Sequence, residues 1–163
     1  MTVRWDAIVE FPVMKVGVKT RDERVIGIRY LPPATAAQAP GNALAERATR
    51  ALERYRGDPD TVFDLPLLIR GSELQRRVWD AMRAIPRGHT RTYGDVAKEL
   101  GSEARVVGQA CGDNRLPIIV PCHRIVAADG LGGFGHATSG FLIEAKRWLL
   151  AHEARPEEFA LRP

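Results

Sequence analysis

At 163 residues the chain has room for one domain, or two small ones, around a real core, and its 45% hydrophobic share is that of an ordinary globular protein. No apolar run approaches the roughly 18 residues of a membrane span, and the N-terminus lacks a signal-peptide pattern, so a soluble, cytoplasmic protein with no membrane partner is expected. Net charge is +4 with a pI near 9.4, which favours a polyanionic partner. The basic excess is local: residues 71–126 carry nine positive and six negative side chains, and residues 127–163 carry four and five. Arginines outnumber lysines twenty to four, which suits phosphate contacts, although a codon bias gives the same ratio. The two cysteines, Cys111 and Cys122, make too weak a framework for one disulfide, so free thiols in a reducing compartment are expected. Four histidines without zinc spacing point to no metal, and no cofactor is expected.

In chain order, Asp6 to Glu10, Met14 to Lys19 and Val25 to Tyr30 are Val- and Ile-rich runs that predict a small antiparallel sheet. Asn42 caps a predicted helix over Ala43 to Arg56, with Leu44, Ala48, Ala51, Leu52 and Tyr55 on one face, and Leu65 to Ile69 reads as one more strand. Nothing there groups a nucleophile, base or metal ligand; residues 1–70 read as an α/β packing domain, with Trp5 and Tyr55 in its core. Gly71 is the natural hinge, because Ser72 and Gln75 have the capping-box form that opens a helix with Leu74, Val78, Met82 and Ile85 on its inner stripe. Thr92 caps a short helix that Gly101 closes, and Ser102 caps a second, Glu103 to about Gly112. Two short helices about a glycine turn form a helix-turn-helix, whose second helix normally enters a DNA groove. That second helix is small-sided except for Arg105 and Gln109. Small residues such as Ala104 and Gly108 allow a close backbone approach, and a lone arginine can fill the space left by an extruded base. Small residues packing helix on helix give the same pattern.

Ile118 to Val120 then reads as a short buried strand halted by Pro121, which delivers Cys122 at its end. A cysteine nucleophile reacts as the thiolate, a few per cent of the population at neutral pH for an ordinary thiol, so neighbours must help ionise it. His123, Arg124 and the free N–H groups of a turn or helix start at Cys122 are the candidates. The bland alternative is a small buried hydrophobe. Ala127 to Gly130 reads as a turn, Leu131 to Gly140 as a glycine-rich loop, and Phe141 to His152 as a closing helix that presents Leu142, Trp148 and Leu149 to the core.

The run from Asn114 through Pro117 to Pro121-Cys122-His123-Arg124-Ile125-Val126 resembles the active-site signature of the O6-alkylguanine-DNA alkyltransferases, the methylated-DNA–protein-cysteine methyltransferases. The resemblance extends from about Ser72 to Glu153, half the chain, and more faintly over the N-terminal part. It implies an α/β (α+β) protein: a small N-terminal sheet-plus-helix (RNase H-like) domain, a mostly helical winged helix-turn-helix-like domain over 71–153 carrying the active-site cysteine, and a tail, 154–163. It implies a DNA repair protein that flips O6-alkylguanine, and O4-alkylthymine, out of duplex DNA and moves the alkyl group irreversibly to Cys122.

In that resemblance Glu153 holds His123, Tyr93 pushes the phosphate and helps protonate the departing guanine, and Asn114 ties the helix-turn-helix to the strand bearing the cysteine. Arg105 is the intercalating finger, with Ala104, Gly108 and Thr92 beside it on the minor groove. Pro117, Ile125, Phe134 and Gly135 wall the base pocket. The glycine loop is longer than the common version, which leaves open whether Gly135, Ser139 or Gly140 donates to the lesion oxygen, and Phe134 stands where tyrosine is common. The partner implied is double-stranded DNA carrying O6-alkylguanine, bound by a protein that is monomeric in solution and able to bind DNA cooperatively. A thioether product would make the protein react once. A sequence-specific regulator indifferent to alkylation, a cysteine hydrolase that regenerates its thiol, and a lesion binder without a nucleophile are the competing classes.

Overall fold

Alternating Val and Ile residues build three antiparallel strands in order, β1 (Ala7–Glu10), β2 (Lys15–Arg21) and β3 (Arg24–Leu31), in the computed structural model, which describes residues 4–133 and 140–154. Strands β2 and β3 run further into the polar stretch than its composition predicts. Arg21 pairs with Arg24 across a two-residue turn in which Asp22 and Glu23 both take left-handed φ, the twist that a tight hairpin favours. Helix α1 (Ala43–Gly57) lies on this sheet, its Asn42 side chain accepting from Ala45 N at 2.8 Å. Ala45, Ala48, Leu52 and Tyr55 are buried on its inner face, whereas Leu44 is only partly covered. The expected strand at Leu65 to Ile69 does not form. Val25 exchanges hydrogen bonds with Pro66 O and Leu68 N in a single parallel bridge, and Pro66 has no N–H with which to extend it.

Helix α2 (Glu73–Arg83) opens on the Ser72–Gln75 capping box and buries Val78, Trp79 and Met82. The helix-turn-helix follows as α3 (Tyr93–Leu100) and α4 (Ala104–Gly112), with Gly101 at φ 65 closing α3. Ser102 does not cap α4. Its amide is used by Ala97 O at 2.8 Å to end α3, so α4 begins after Glu103, without a side-chain cap. Two-residue strands β4 (Arg91–Thr92) and β5 (Ile125–Val126), which hydropathy does not foretell, pair in parallel and bring the start of α3 beside the cysteine segment.

The final helix, α5 (Phe141–Glu153), presents Leu149 to the core as predicted, with Leu142 and Trp148 packed at its edge, but its inner face is centred elsewhere. Ile143, Ala145, Lys146, Leu149 and Glu153 are buried, while Leu142 and Trp148 are half-covered. Lys146, Leu149 and Glu153 follow helical spacing, and the inner stripe carries two charged residues that a hydrophobic count assigns to solvent. Of the expected tail, residues 155–163 lie outside the described residues, as do Phe134, Gly135 and Ser139 of the glycine-rich loop.

Candidate active site

The segment expected as a buried strand before the cysteine is a turn. Ile118 has φ 72, Val120 N donates to Leu116 O, and the Asn114 side chain spans the loop, its Nδ2 donating to Val120 O at 2.8 Å and its Oδ1 accepting from Leu116 N at 2.9 Å. Asn114 thus satisfies the polar groups that a sheet ladder would have used, and with Pro117 and Pro121 at either side no ladder can form. Cys122 therefore opens a 3-10 turn (Cys122–Arg124) rather than ending a strand, and it is 6% exposed.

Burial pushes the Cys122 thiol up to about 11. Asn114, the Lys146 ammonium and the N–H groups of Cys122 and His123 act the other way by favouring the thiolate. The expected help from main-chain N–H groups at the turn is present, although that of Cys122 is not free but also donates to Val120 O at 2.8 Å. The expected help from Arg124 is absent, because its guanidinium turns away to Glu153 and to Ile85 O.

Glu153, at the end of α5, gathers four donor atoms. Arg124 Nε reaches Oε1 at 2.9 Å and Nη2 reaches Oε2 at 3.1 Å; Tyr55 donates its hydroxyl to Oε2 at 2.6 Å; and His123 Nε2 lies 2.9 Å from Oε2, off the ideal hydrogen-bond line. Despite burial, contacts with His123, Arg124 and Tyr55 hold the Glu153 carboxyl well below the usual carboxylate range. Burial pushes His123 down, more than Glu153 raises it, so the imidazole is neutral at pH 7. Its Nδ1 is buried with no protein partner among the described residues.

Lys146 completes the far side. Its Nζ donates to Ile125 O at 2.8 Å and to Gly133 O at 3.0 Å, and lies 5.8 Å from the centre of the Tyr93 ring. Burial lowers Lys146 to about 8, against the pull of the Cys122 and Cys111 thiols. Tyr93, pushed up to about 12 chiefly by burial, donates its hydroxyl to the same Gly133 O at 3.2 Å. Gly132 is obligatory beneath it: φ is 76, and a β-carbon there would come within 3.0 Å of the Tyr93 ring. Cys111, partly covered, and Cys122, buried, both stand as free thiols.

Of the residues expected at the site, Cys122, His123 and Glu153 come together, Tyr93 stands beside them at the start of α3, and Asn114, Pro117 and Ile125 pack around the cysteine loop, the last two buried. Ala104 and Arg105 are exposed on α4, with Arg105 84% exposed and resting on Glu103 at 3.5 Å; Gly108 faces the Tyr93 ring, and Thr92 caps α3. Two residues of the site are not singled out by the sequence. Lys146 could have been found from its spacing with Leu149 and Glu153 on one helical face; Tyr55 gives no sequence signal, being one more aromatic on an apolar stripe.

Comparison with known proteins agrees with this geometry. The family model for the DNA-binding domain of 6-O-methylguanine DNA methyltransferase matches residues 73–155, just over half the chain. A methylated-DNA–protein-cysteine methyltransferase of Mycolicibacterium paratuberculosis is 45% identical over 66% of this chain, and one of Methanopyrus kandleri is 49% identical over 64%. The chain spans 64% of the former's length and 76% of the latter's. A crystal structure of Mycobacterium tuberculosis OGT in complex with DNA superposes with a TM-score of 0.74 at 33% identity, covering 95% of this chain and 98% of that one. A thiol on a turn tied by asparagine, a buried His–Glu pair and a helix-turn-helix, found together in a chain so matched, make it a member of the O6-alkylguanine-DNA alkyltransferase (methylated-DNA–protein-cysteine methyltransferase) family.

Proposed function

We propose that the protein repairs DNA by taking the alkyl group of O6-alkylguanine, and of O4-alkylthymine, onto Cys122 in one irreversible reaction. The observation that carries this reading is the role of Asn114. It follows α4 directly, bonding Cys111 O through its own N–H and Val120 O through its side chain, so the helix suited to a DNA groove and the buried thiol are held as one piece. In this reading α4 enters the minor groove with Ala104 and Gly108 at its floor, Thr92 lies near the backbone, and Arg105 leaves Glu103 to occupy the gap of an everted base. Asn114, Pro117 and Ile125 bound the space that receives it; Phe134 and Gly135, expected beside them, lie outside the described residues. The protein acts as a monomer, and several copies can occupy one duplex cooperatively.

The chemistry follows from the protonation states. Neutral His123, oriented by Glu153, accepts the thiol proton through a water on its partnerless Nδ1 side. The sulfur attacks the alkyl carbon in line; the S–C bond forms as the O–C bond breaks, and the electron pair stays on the guanine oxygen. A phenol held near 12 is protonated at neutral pH, so Tyr93 contributes a hydrogen bond that strengthens as charge develops, after its hydroxyl turns from Gly133 O. Water does not cleave a thioether, which makes the reaction stoichiometric. The test is intact mass with peptide mapping after incubation with an O6-methylguanine duplex. One methyl on Cys122 is expected in the wild type, and none in Cys122→Ser, which should still bind the duplex; an unmodified sulfur after prolonged excess would overturn the reading.

A further inference from the structure

Tyr55 belongs to α1, far in sequence from the reacting sulfur, yet it is held at three points of α5. Its hydroxyl donates to Glu153 Oε2 at 2.6 Å, its carbonyl oxygen lies 2.6 Å from His152 Nε2, and its ring meets the His152 ring edge-on with centroids 5.2 Å apart. His152 is itself stacked on Trp148 at 4.7 Å. Two consecutive residues of the last helix therefore grip one residue of the first. The oxygen that Tyr55 reaches is the one that lies against His123.

We propose that Tyr55 is a positioning residue for alkyl transfer, through which α1 and the N-terminal sheet set the basicity of His123 by way of the Glu153 oxygen they share. The inference rests on the reading of Cys122 as the alkyl acceptor. A carboxylate oxygen that accepts from a phenol, a guanidinium and an imidazole divides its charge among them, and each donor weakens its hold on the others. Removing the phenol leaves Oε2 to Arg124 and His123, so the imidazolium is better stabilised and the ring takes up a proton at higher pH. With the phenol present His123 stays neutral, the form that can accept the thiol proton. A tyrosine suits this task because burial and Glu153 push its own proton far above the ordinary range, so it remains a donor at every working pH.

The other groups around the pair do not duplicate this effect. Arg87, from the turn after α2, donates to the Glu153 main-chain oxygen at 3.0 Å; Arg124 and Lys146 bring positive charge that depresses His123 directly. Tyr30 of β3 and Cys122 lie nearby as protonated, neutral groups, and His152 is engaged with the Tyr55 carbonyl. Apart from His123 itself, Tyr55 reaches Oε2 as a donor that brings no charge, whereas Arg124 reaches it as a cation.

The test compares the full wild-type chain with Tyr55→Phe and with 3-fluorotyrosine placed at position 55. Two quantities are followed against pH: the ring-nitrogen NMR titration of His123, and the rate at which iodoacetamide alkylates Cys122, with peptide mapping to separate Cys111. Iodoacetamide needs no DNA, so this readout stands apart from the O6-methylguanine mass experiment, whose failure would count against the alkyl-acceptor reading instead. In Tyr55→Phe the His123 midpoint and the acidic limb of the rate profile should rise together by about half a pH unit or more, slowing alkylation about threefold at the acidic edge and leaving the alkaline plateau unchanged. Fluorotyrosine, a stronger donor with the same shape, should move both the opposite way. Superimposable titrations, or shifts of the same sign in both variants, overturn the proposal; a merely structural role would change stability without moving either limb.

Discussion

Lys146 is the residue whose chemistry departs furthest from its usual surroundings. A buried ammonium is unfavourable unless something nearby needs its charge, and here both thiols do, while two carbonyl oxygens accept its protons. Lys146→Met keeps the stem's volume and removes the charge. Cys122 should then ionise at still higher pH, and the second-order rate of alkyl uptake at neutral pH should fall about tenfold, one pKa unit's worth of thiolate; an unchanged rate would mean that the ammonium only anchors Ile125 and Gly133. In the sequence Cys122 and His123 stand out because their identities are chemically unusual and adjacent, whereas Glu153 is singled out only by the family resemblance, a terminal glutamate being ordinarily solvated. Lys146 and Tyr55 do not stand out, since both sit at helical spacing among apolar neighbours and their role exists only once α1, α5 and the cysteine turn meet.

Among the elements, helices were legible where the signal was local. The Asn42, Ser72 and Thr92 caps and the left-handed Gly101 are decided by neighbours three residues away, and all four stand as read. The Ile118 to Val120 segment departs from its strand-like sequence for the complementary reason. Three β-branched residues suit a strand, but the Asn114 amide supplies the hydrogen bonds that a partner strand would have offered. Asn114→Ala should therefore leave a buried carbonyl and a buried amide unsatisfied and lower the unfolding free energy by about 1–3 kcal/mol. It should also slow alkyl transfer, because the turn presenting Cys122 loses its tie; chemical denaturation and the transfer rate on the same preparation check both. A drop in stability with the rate retained would confine Asn114 to a structural role.

At the scale of the whole molecule, the N-terminal part reads from composition as packing alone, yet it closes onto the site through Tyr55, Asp60 and Tyr30. Arg87 bridges the halves by holding Asp60 at 2.8 Å while donating to the Glu153 main-chain oxygen. The buried His123–Glu153 pair makes this closure sensitive to acid. His123 is lowered from 6.5, so its contribution is present above that pH and is lost as pH falls toward its folded value; Glu153 is lowered from 4.5, and its contribution fades as pH falls below that point. Both signs agree. Urea midpoints should decline from about pH 7 downward and fall more steeply below about pH 4.5, whereas a flat midpoint over that range would contradict the buried pair.

The packing that raises the Cys122 thiol has one more consequence. Under the proposed function each sulfur serves once, and the folded sulfur, 6% exposed and protonated at neutral pH, reacts slowly with soluble electrophiles for reasons of both access and charge. The crowding that raises the thiol thereby also spares it, and the ammonium of Lys146 and the amide of Asn114 act against that crowding when the thiolate is needed.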